Sequence, residues 1–151
     1  MTLGERVLIL GVGNPLRADD GVGAAVVERL ADLLAPGVAE LRAVYQLTPE
    51  LAADIARAAL VVVVDAAIGV AVGEVVVREA AAGDGAGEPL SHSVDPVGLA
   101  GLSLALYGAS PRLVLVGIGP ASLDAGEGLS PAAAAAVVRA TDVIVALAGE
   151  R

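Results

Sequence analysis

The feature that most restricts the fold of this chain is the segment at residues 11–23, which reads GVGNPLRADDGVG. It overlaps the end of a short, continuous apolar run, Val7–Val12, which is typical of a buried parallel strand. An amphipathic pattern begins at its end, near Val22. The sequence therefore predicts a strand, a loop and a helix in direct succession. Open α/β sheets place their ligands and their chemistry at such loops.

The residues of this loop disfavour a phosphate and favour a cation. A dinucleotide fingerprint needs a third glycine where the chain has Leu16. Asp19 and Asp20 precede the predicted helix, and two carboxylates would repel a phosphate there. One of them could instead be a helix N-cap, a common use of aspartate. The loop therefore predicts either a cation ligand or a cap.

The rest of the chain repeats the alternation of strand and helix. Strands are predicted at residues 41–46, 60–64, 74–79 and 113–118, and helices from Val22, Thr48, Asp95 and Ser130. The connection at residues 66–73 is too short for a crossover helix, so the fourth strand should run antiparallel to its predecessor. We predict a three-layer α/β/α sandwich around a five-stranded, mostly parallel sheet.

Two helices have predicted buried faces, and one connection is predicted to be a loop. The first helix should bury Val22, Val26, Leu30 and Leu33, and the third should bury Leu99, Leu102 and Leu106. Residues 80–89 are rich in glycine and small side chains and should form a mobile loop.

Composition excludes several classes of protein. A net charge of −9 without any lysine argues against a nucleic-acid partner, because binding phosphates needs clustered Lys or Arg. The chain has no cysteine, which excludes disulfides and thiolate chemistry. No apolar run approaches the ~18 residues of a membrane span, and the run from Val7 is too short for a signal peptide. We therefore expect a cytoplasmic protein with one domain, residues 1–151.

The predicted topology brings three polar residues to one edge of the sheet. Asp20 follows the first strand and Asp65 ends the third, so both lie at the carboxyl edge of the parallel strands. The helix that feeds the parallel fifth strand must start at this edge, and His92 lies just before it. Separately, His92 could be an exposed loop residue and Asp65 could cap a turn.

Together, these three residues form a set of one nitrogen and several oxygen donors. Such a set suits a borderline divalent ion such as Ni²⁺ or Zn²⁺ better than Ca²⁺. The catalytic alternative is a paired-aspartate acid/base site. A nucleophilic serine is not indicated, because the chain has no G-x-S-x-G motif.

Five segments of the chain resemble the NiFe hydrogenase maturation endopeptidases. They are LILGVGNPLRADDGVG at residues 8–23, QLTPELA at 46–52, VVVVDAAIG at 61–69, SHSVDPVGL at 91–99 and VGIGPASLDAGEGLSP at 116–131. The resemblance covers nearly the whole chain and implies the phosphorylase/hydrolase-like version of the α/β/α sandwich. The family's metal-interacting positions fall on Asp20, Asp65 and His92, which the resemblance therefore implies as both catalytic and metal-interacting residues.

The resemblance also implies a function and a partner. It implies an aspartic-type endopeptidase, a monomer, which removes the C-terminal extension of a hydrogenase large-subunit precursor after nickel insertion. The nickel would belong to the precursor, and another divalent metal such as Zn²⁺ could take its place. Relatives commonly have Glu where this chain has Asp20, so Asp19 is a competing ligand. Two mechanisms stay open, a metal-bound water and an aspartate acting as acid or base. A non-hydrolytic metal- or metalloprotein-binding module is the alternative function.

Overall fold

The computed structural model describes residues 6–82 and 95–149, which form one five-stranded sheet with helices on both faces. The strands are β1 (Val7–Val12), β2 (Glu40–Val44), β3 (Leu60–Ala66), β4 (Val75–Ala80) and β5 (Arg112–Ile118). The α-helices are α1 (Val22–Leu33), α2 (Leu51–Ala56), α3 (Pro96–Tyr107) and α4 (Pro131–Gly149). A 3₁₀ turn, Ala18–Gly21, precedes α1.

Alternating side chains of the central strands form two separate cores. Val62 and Val64 of β3 face α1 and α4, whereas Val61 and Val63 face α2 and α3. This alternation is the period of two that a strand imposes on its side chains. All four valines are buried because helices cover both faces of the sheet. The predicted three-layer α/β/α sandwich is confirmed.

The strand order is β2-β1-β3-β5-β4, with β4 antiparallel and the other strands parallel. The prediction of one antiparallel strand is confirmed, but β4 does not pair with β3, its predecessor in the chain. β5 lies between them and pairs with both. The short β3–β4 connection therefore crosses the end of β5 rather than forming a tight hairpin.

Three local predictions were wrong. Leu33 is 53% exposed, because it is the last residue of α1 and extends past the sheet. Leu106 is also largely exposed, since α3 is apolar on all sides and buries Leu99, Ala100 and Ser103 instead. α2 begins at Leu51, after a turn at residues 49–50, and not at Thr48.

The last helix, α4, is long and apolar enough to cross a membrane by length and composition alone. In the fold it packs against α1 and β5 through Ala133, Ala136, Ala140 and Ile144, which are fully buried. α4 is therefore a core helix of the sandwich. The Ser130 hydroxyl accepts a hydrogen bond from the Ala133 amide (3.2 Å), so the predicted cap at the start of α4 is confirmed.

Candidate active site

Asp20 and Asp65 lie on neighbouring strands of the sheet, at its carboxyl edge. Asp20 is in the 3₁₀ turn that follows β1, and Asp65 is the penultimate residue of β3. β1 and β3 pair in parallel register, with Gly11 opposite Val64. The two carboxylates, both half-buried, therefore reach the same edge from adjacent strands, as the sequence predicted.

Close packing of backbone on backbone holds Asp20 in this position. A Cβ atom at Gly13, whose φ is +134°, would lie 2.0 Å from the Asp20 carbonyl oxygen. A Cβ at Gly11 would lie 2.2 Å from the carbonyl oxygen of Gly23 in α1. Glycine is required at both positions because nothing larger fits between the strand and the first helical turn. These contacts place Asp20 directly above the end of β1.

The Asp20 side chain accepts a hydrogen bond from the loop that it follows. Its Oδ2 accepts from the Asn14 amide at 2.7 Å, and the Asn14 Oδ1 accepts from the Leu16 amide at 2.9 Å. The second bond forms an Asx turn, which shapes the chain between β1 and the 3₁₀ turn. The Asn14 amide thereby orients the Asp20 carboxylate.

The neighbouring Asp19 has a different environment, since it is fully buried. Its carboxylate accepts hydrogen bonds from the Ala121 amide (2.8 Å), the Ser130 amide (2.7 Å) and the Ser130 hydroxyl (2.7 Å). Burial alone would raise the pKa of Asp19, but the hydrogen bonds from Ser130, Ala121 and Ser122 together hold that pKa below its usual value. Asp19 thus joins the loop after β1 to the loop after β5.

Backbone hydrogen bonds reinforce the same junction. The Ala18 amide donates to the Gly126 carbonyl (2.8 Å), and the Gly126 amide donates to the Leu16 carbonyl (2.8 Å). Ala18 adopts a φ of +51°, which is uncommon for a residue with a Cβ and strains the backbone beside the two aspartates. The surrounding hydrogen bonds hold this strained turn in place.

Asp65 has the most perturbed carboxyl group at this edge. Burial raises the pKa of Asp65 to about 6, a hydrogen bond from the Ala66 backbone opposes the rise, and the negative charge of Asp20 adds to it. The two carboxylates are therefore close enough to repel one another. A carboxyl group whose pKa is raised by burial and by a second carboxylate is a common signature of a functional site.

The cap interpretation of the acidic pair was wrong. α1 has Gly21 as its N-cap and no side-chain hydrogen bond there, so neither Asp19 nor Asp20 caps it. His92, the third residue of the predicted ligand set, lies outside the described residues. Within residues 6–82 and 95–149, no group of three or more His, Cys, Asp or Glu side chains is placed to hold a metal ion. The described part of the site is thus the pair Asp20 and Asp65.

Sequence reasoning missed the role of the loop after β5. Residues 119–130 supply the partners of Asp19 and the backbone bonds to residues 16–18. The serine before Pro131 was identified only as a helix cap. Its hydroxyl does cap α4, but it also donates to a carboxylate 111 positions earlier in the chain. No local sequence pattern predicts a contact between residues that are so far apart in the chain.

Comparison with known proteins gives structural relatives over nearly the whole chain. No protein-family profile matches it, and no curated protein matches it significantly. The NiFe hydrogenase maturation protease HycI from Thermococcus kodakarensis is 27% identical with a TM-score of 0.75, covering 96% of this chain and 93% of its own. The hydrogenase maturating endopeptidase HybD from E. coli is 28% identical, with a TM-score of 0.76 and the same coverage.

A third relative extends the comparison to another archaeal lineage. The hydrogenase 2 maturation peptidase from a Thaumarchaeota archaeon is 25% identical with a TM-score of 0.72, covering 97% of this chain and 99% of its own. The α/β/α fold and these relatives place the chain among the endopeptidases. The relatives within that class are NiFe hydrogenase maturation proteases, and this chain shares their fold over nearly its whole length.

Proposed function

We propose that this protein removes the C-terminal extension of a NiFe hydrogenase large-subunit precursor by hydrolysing one peptide bond. The observation that carries the proposal is the likeness to maturation endopeptidases over 96% of the chain. The paired carboxylates Asp20 and Asp65 support it, because they lie where open α/β sheets hold their reactive groups. The precursor is thus both substrate and partner.

Asp20 and Asp65, with His92 as the third donor, are proposed to contact the nickel of the precursor. Asp20 and Asp65 offer carboxylate oxygens, and only one oxygen of Asp20 has a backbone donor among the described hydrogen bonds. A cation that contacts both carboxylates would reduce the repulsion between them. Imidazole and carboxylate donors suit Ni²⁺ and also Zn²⁺. Because Ni²⁺ comes with the substrate, it would report that the precursor is loaded.

Asp65 is the proposed acid/base residue of the hydrolysis. A general base is most effective when its pKa lies near the working pH, and the pKa of Asp65 is raised to about 6. An ionised Asp65 would take a proton from the attacking water and pass it to the leaving amine. A divalent metal would contribute by making a bound water more acidic.

The fold and composition also support a location and a state of association. We propose a cytoplasmic monomer that meets its precursor in solution, and the burial of α4 removes the one described helix that could otherwise cross a membrane. Nucleic acid is not expected among the partners, because a protein with a net charge of −9 repels phosphates.

The test is cleavage of purified precursor, followed by mass spectrometry of the product. We expect the wild-type protein to shorten the nickel-loaded precursor and to leave the nickel-free precursor intact. Asp20→Asn keeps an oxygen that can accept from the Asn14 amide but removes the charge, so it should fold normally and lose cleavage. Asp32→Asn is the matched control, since Asp32 is exposed near the C-terminal end of α1, away from the carboxyl edge of the sheet. Binding of the loaded precursor without any cleavage would refute the proposal in favour of a binding module.

A further inference from the structure

Four large apolar side chains project into solvent around the two aspartates. Tyr45 follows β2, Leu16 follows β1, and Ile68 and Val72 lie in the β3–β4 connection, so all four are at the carboxyl edge of the sheet. They are between 55% and 85% exposed, and Ile68 is the most exposed large apolar residue of the described chain. We name Leu16, Tyr45, Ile68 and Val72 the apolar rim.

The backbone that carries the apolar rim is fixed by hydrogen bonds. Val44, directly before Tyr45, accepts from the Gly13 amide at 2.9 Å, and Leu16 accepts from the Gly126 amide at 2.8 Å. The β3–β4 connection is held at both ends, by Ala67 donating to Ile118 (2.8 Å) and Gly73 donating to Gly119 (2.9 Å). These side chains are therefore displayed by an ordered scaffold, and their surface is available without rearrangement.

The charges at this edge are almost all negative. Glu50, Glu74, Asp124 and Glu127 are exposed there, in addition to Asp20 and Asp65, and Arg17 is the one cation among the described residues of these loops. The described ion pairs all lie elsewhere, joining Arg42 and Arg57 to acids of β2 and α2 and Arg112 to Glu79. Arg139 of α4 also reaches this edge, where it donates to the Gly73 carbonyl, but the acidic groups outnumber the two arginines and the edge is negatively charged.

We propose that the apolar rim is the docking surface for the folded large-subunit precursor, through a patch of that protein that carries apolar and basic side chains. The inference rests on the proposed function and adds the surface and the chemistry of its partner. Charge complementarity selects a basic patch, because an acidic one would be repelled by the surrounding carboxylates. The rim lies at the same edge of the sheet as Asp20 and Asp65, so docking on it brings the chain to be cut to the acidic pair.

The experiment measures KM and kcat for cleavage of the nickel-loaded precursor encoded in the same genome. The variant Tyr45→Ser/Ile68→Ser should raise KM about tenfold or more and leave kcat nearly unchanged, since two anchors of the interface are lost and no acidic residue is touched. Leu106→Ser is the matched control, because Leu106 is 62% exposed at the far end of α3. The control should leave both constants within about twofold of the wild type.

A second variant tests the charge of the partner. Glu50→Gln/Glu127→Gln should raise KM severalfold in 50 mM salt, and the difference from wild type should shrink in 500 mM salt, where charges are screened. A normal KM for the Tyr45→Ser/Ile68→Ser variant would overturn the docking proposal, and a lowered KM for the glutamine variant would overturn the basic patch. Failure of the wild-type protein to cleave any loaded precursor is a separate result, which would overturn the proposed function.

Discussion

Replacing Asp19, in the 3₁₀ turn after β1, by alanine should strongly destabilise this protein. The substitution removes a fully buried carboxylate and with it three hydrogen bonds, two from backbone amides and one from a hydroxyl. Each buried donor left without a partner costs about 1–3 kcal/mol. The Ser130 hydroxyl can rotate, whereas the amides of Ala121 and Ser130 cannot, so we expect a loss of about 3–5 kcal/mol.

The loss should depend on pH in a defined direction. Because the folded-state pKa of Asp19 lies below its usual value, its contribution to stability is complete above about pH 4 and is lost as the pH falls through the folded-state pKa. The difference in unfolding free energy between wild type and Asp19→Ala should therefore be largest near pH 7. It should narrow below pH 4, where the carboxyl group of the unfolded chain begins to be protonated.

The assay is urea unfolding of both proteins at pH 7 and pH 3.5. At pH 7 the melting temperature should also fall, by about 10 °C for a chain of this length. Asp124→Ala, an exposed change in the loop that Asp19 contacts, should alter stability by less than about 0.5 kcal/mol. If Asp19→Ala unfolds within 1 kcal/mol of the wild type at pH 7, the carboxylate is not the junction between the two loops.

Three further predictions concern other parts of the molecule. Asp65→Asn should stabilise the metal-free protein at pH 7.5 by about 1–2 kcal/mol, after allowance for solvent screening, and should not stabilise it at pH 4. The reason is that a carboxyl group whose pKa is raised to about 6 favours folding only while it is protonated. Urea midpoints measured in EDTA at both pH values test this prediction. Gly13→Ala should abolish precursor cleavage and lower the free energy of unfolding by about 3 kcal/mol or more, because the added Cβ would lie 2.0 Å from the Asp20 carbonyl oxygen. Equal cleavage activity of this variant and the wild type would contradict the prediction. Asp95→Ala should cost about 1 kcal/mol in a thermal melt, since it removes the cap that accepts from the Gly98 amide, and precursor cleavage should be retained.

Much of the fold was readable from the sequence because its signals are local. The apolar runs at residues 60–64 and Val7–Val12 have one structural interpretation each, and both strands were located to within two residues. The position of β5 between β3 and β4 was not predictable in the same way. Strand order depends on pairing between segments far apart in the chain, and the composition of β4 does not distinguish β3 from β5 as its neighbour.

In the candidate site, too, the features with local sequence signals were predictable and those that depend on distant contacts were not. Asp20 and Asp65 could be placed at one edge because each directly follows a strong strand signal. The different environments of Asp19 and Asp20 could not be predicted from the sequence. Only the tertiary contacts of Asp19 with residues 121 and 130 distinguish these two adjacent aspartates. For the same reason, the buried face of α3 was mispredicted: its apolar residues surround the helix, and only packing selects among them.

The long-range bonds of Asp19 have a consequence for how the protein is made. A chain leaves the ribosome from its N-terminus, so the acidic loop is synthesised more than a hundred residues before Ala121 and Ser130, which hold it. Until that distant segment emerges, Asp19 is a solvated charge and the strained turn at Ala18 has no support from Gly126. β5 is also late, and the sheet stays divided until it is inserted between β3 and β4. The proposed cutting edge of a nascent chain therefore takes shape only after residues 112–130 have emerged from the ribosome.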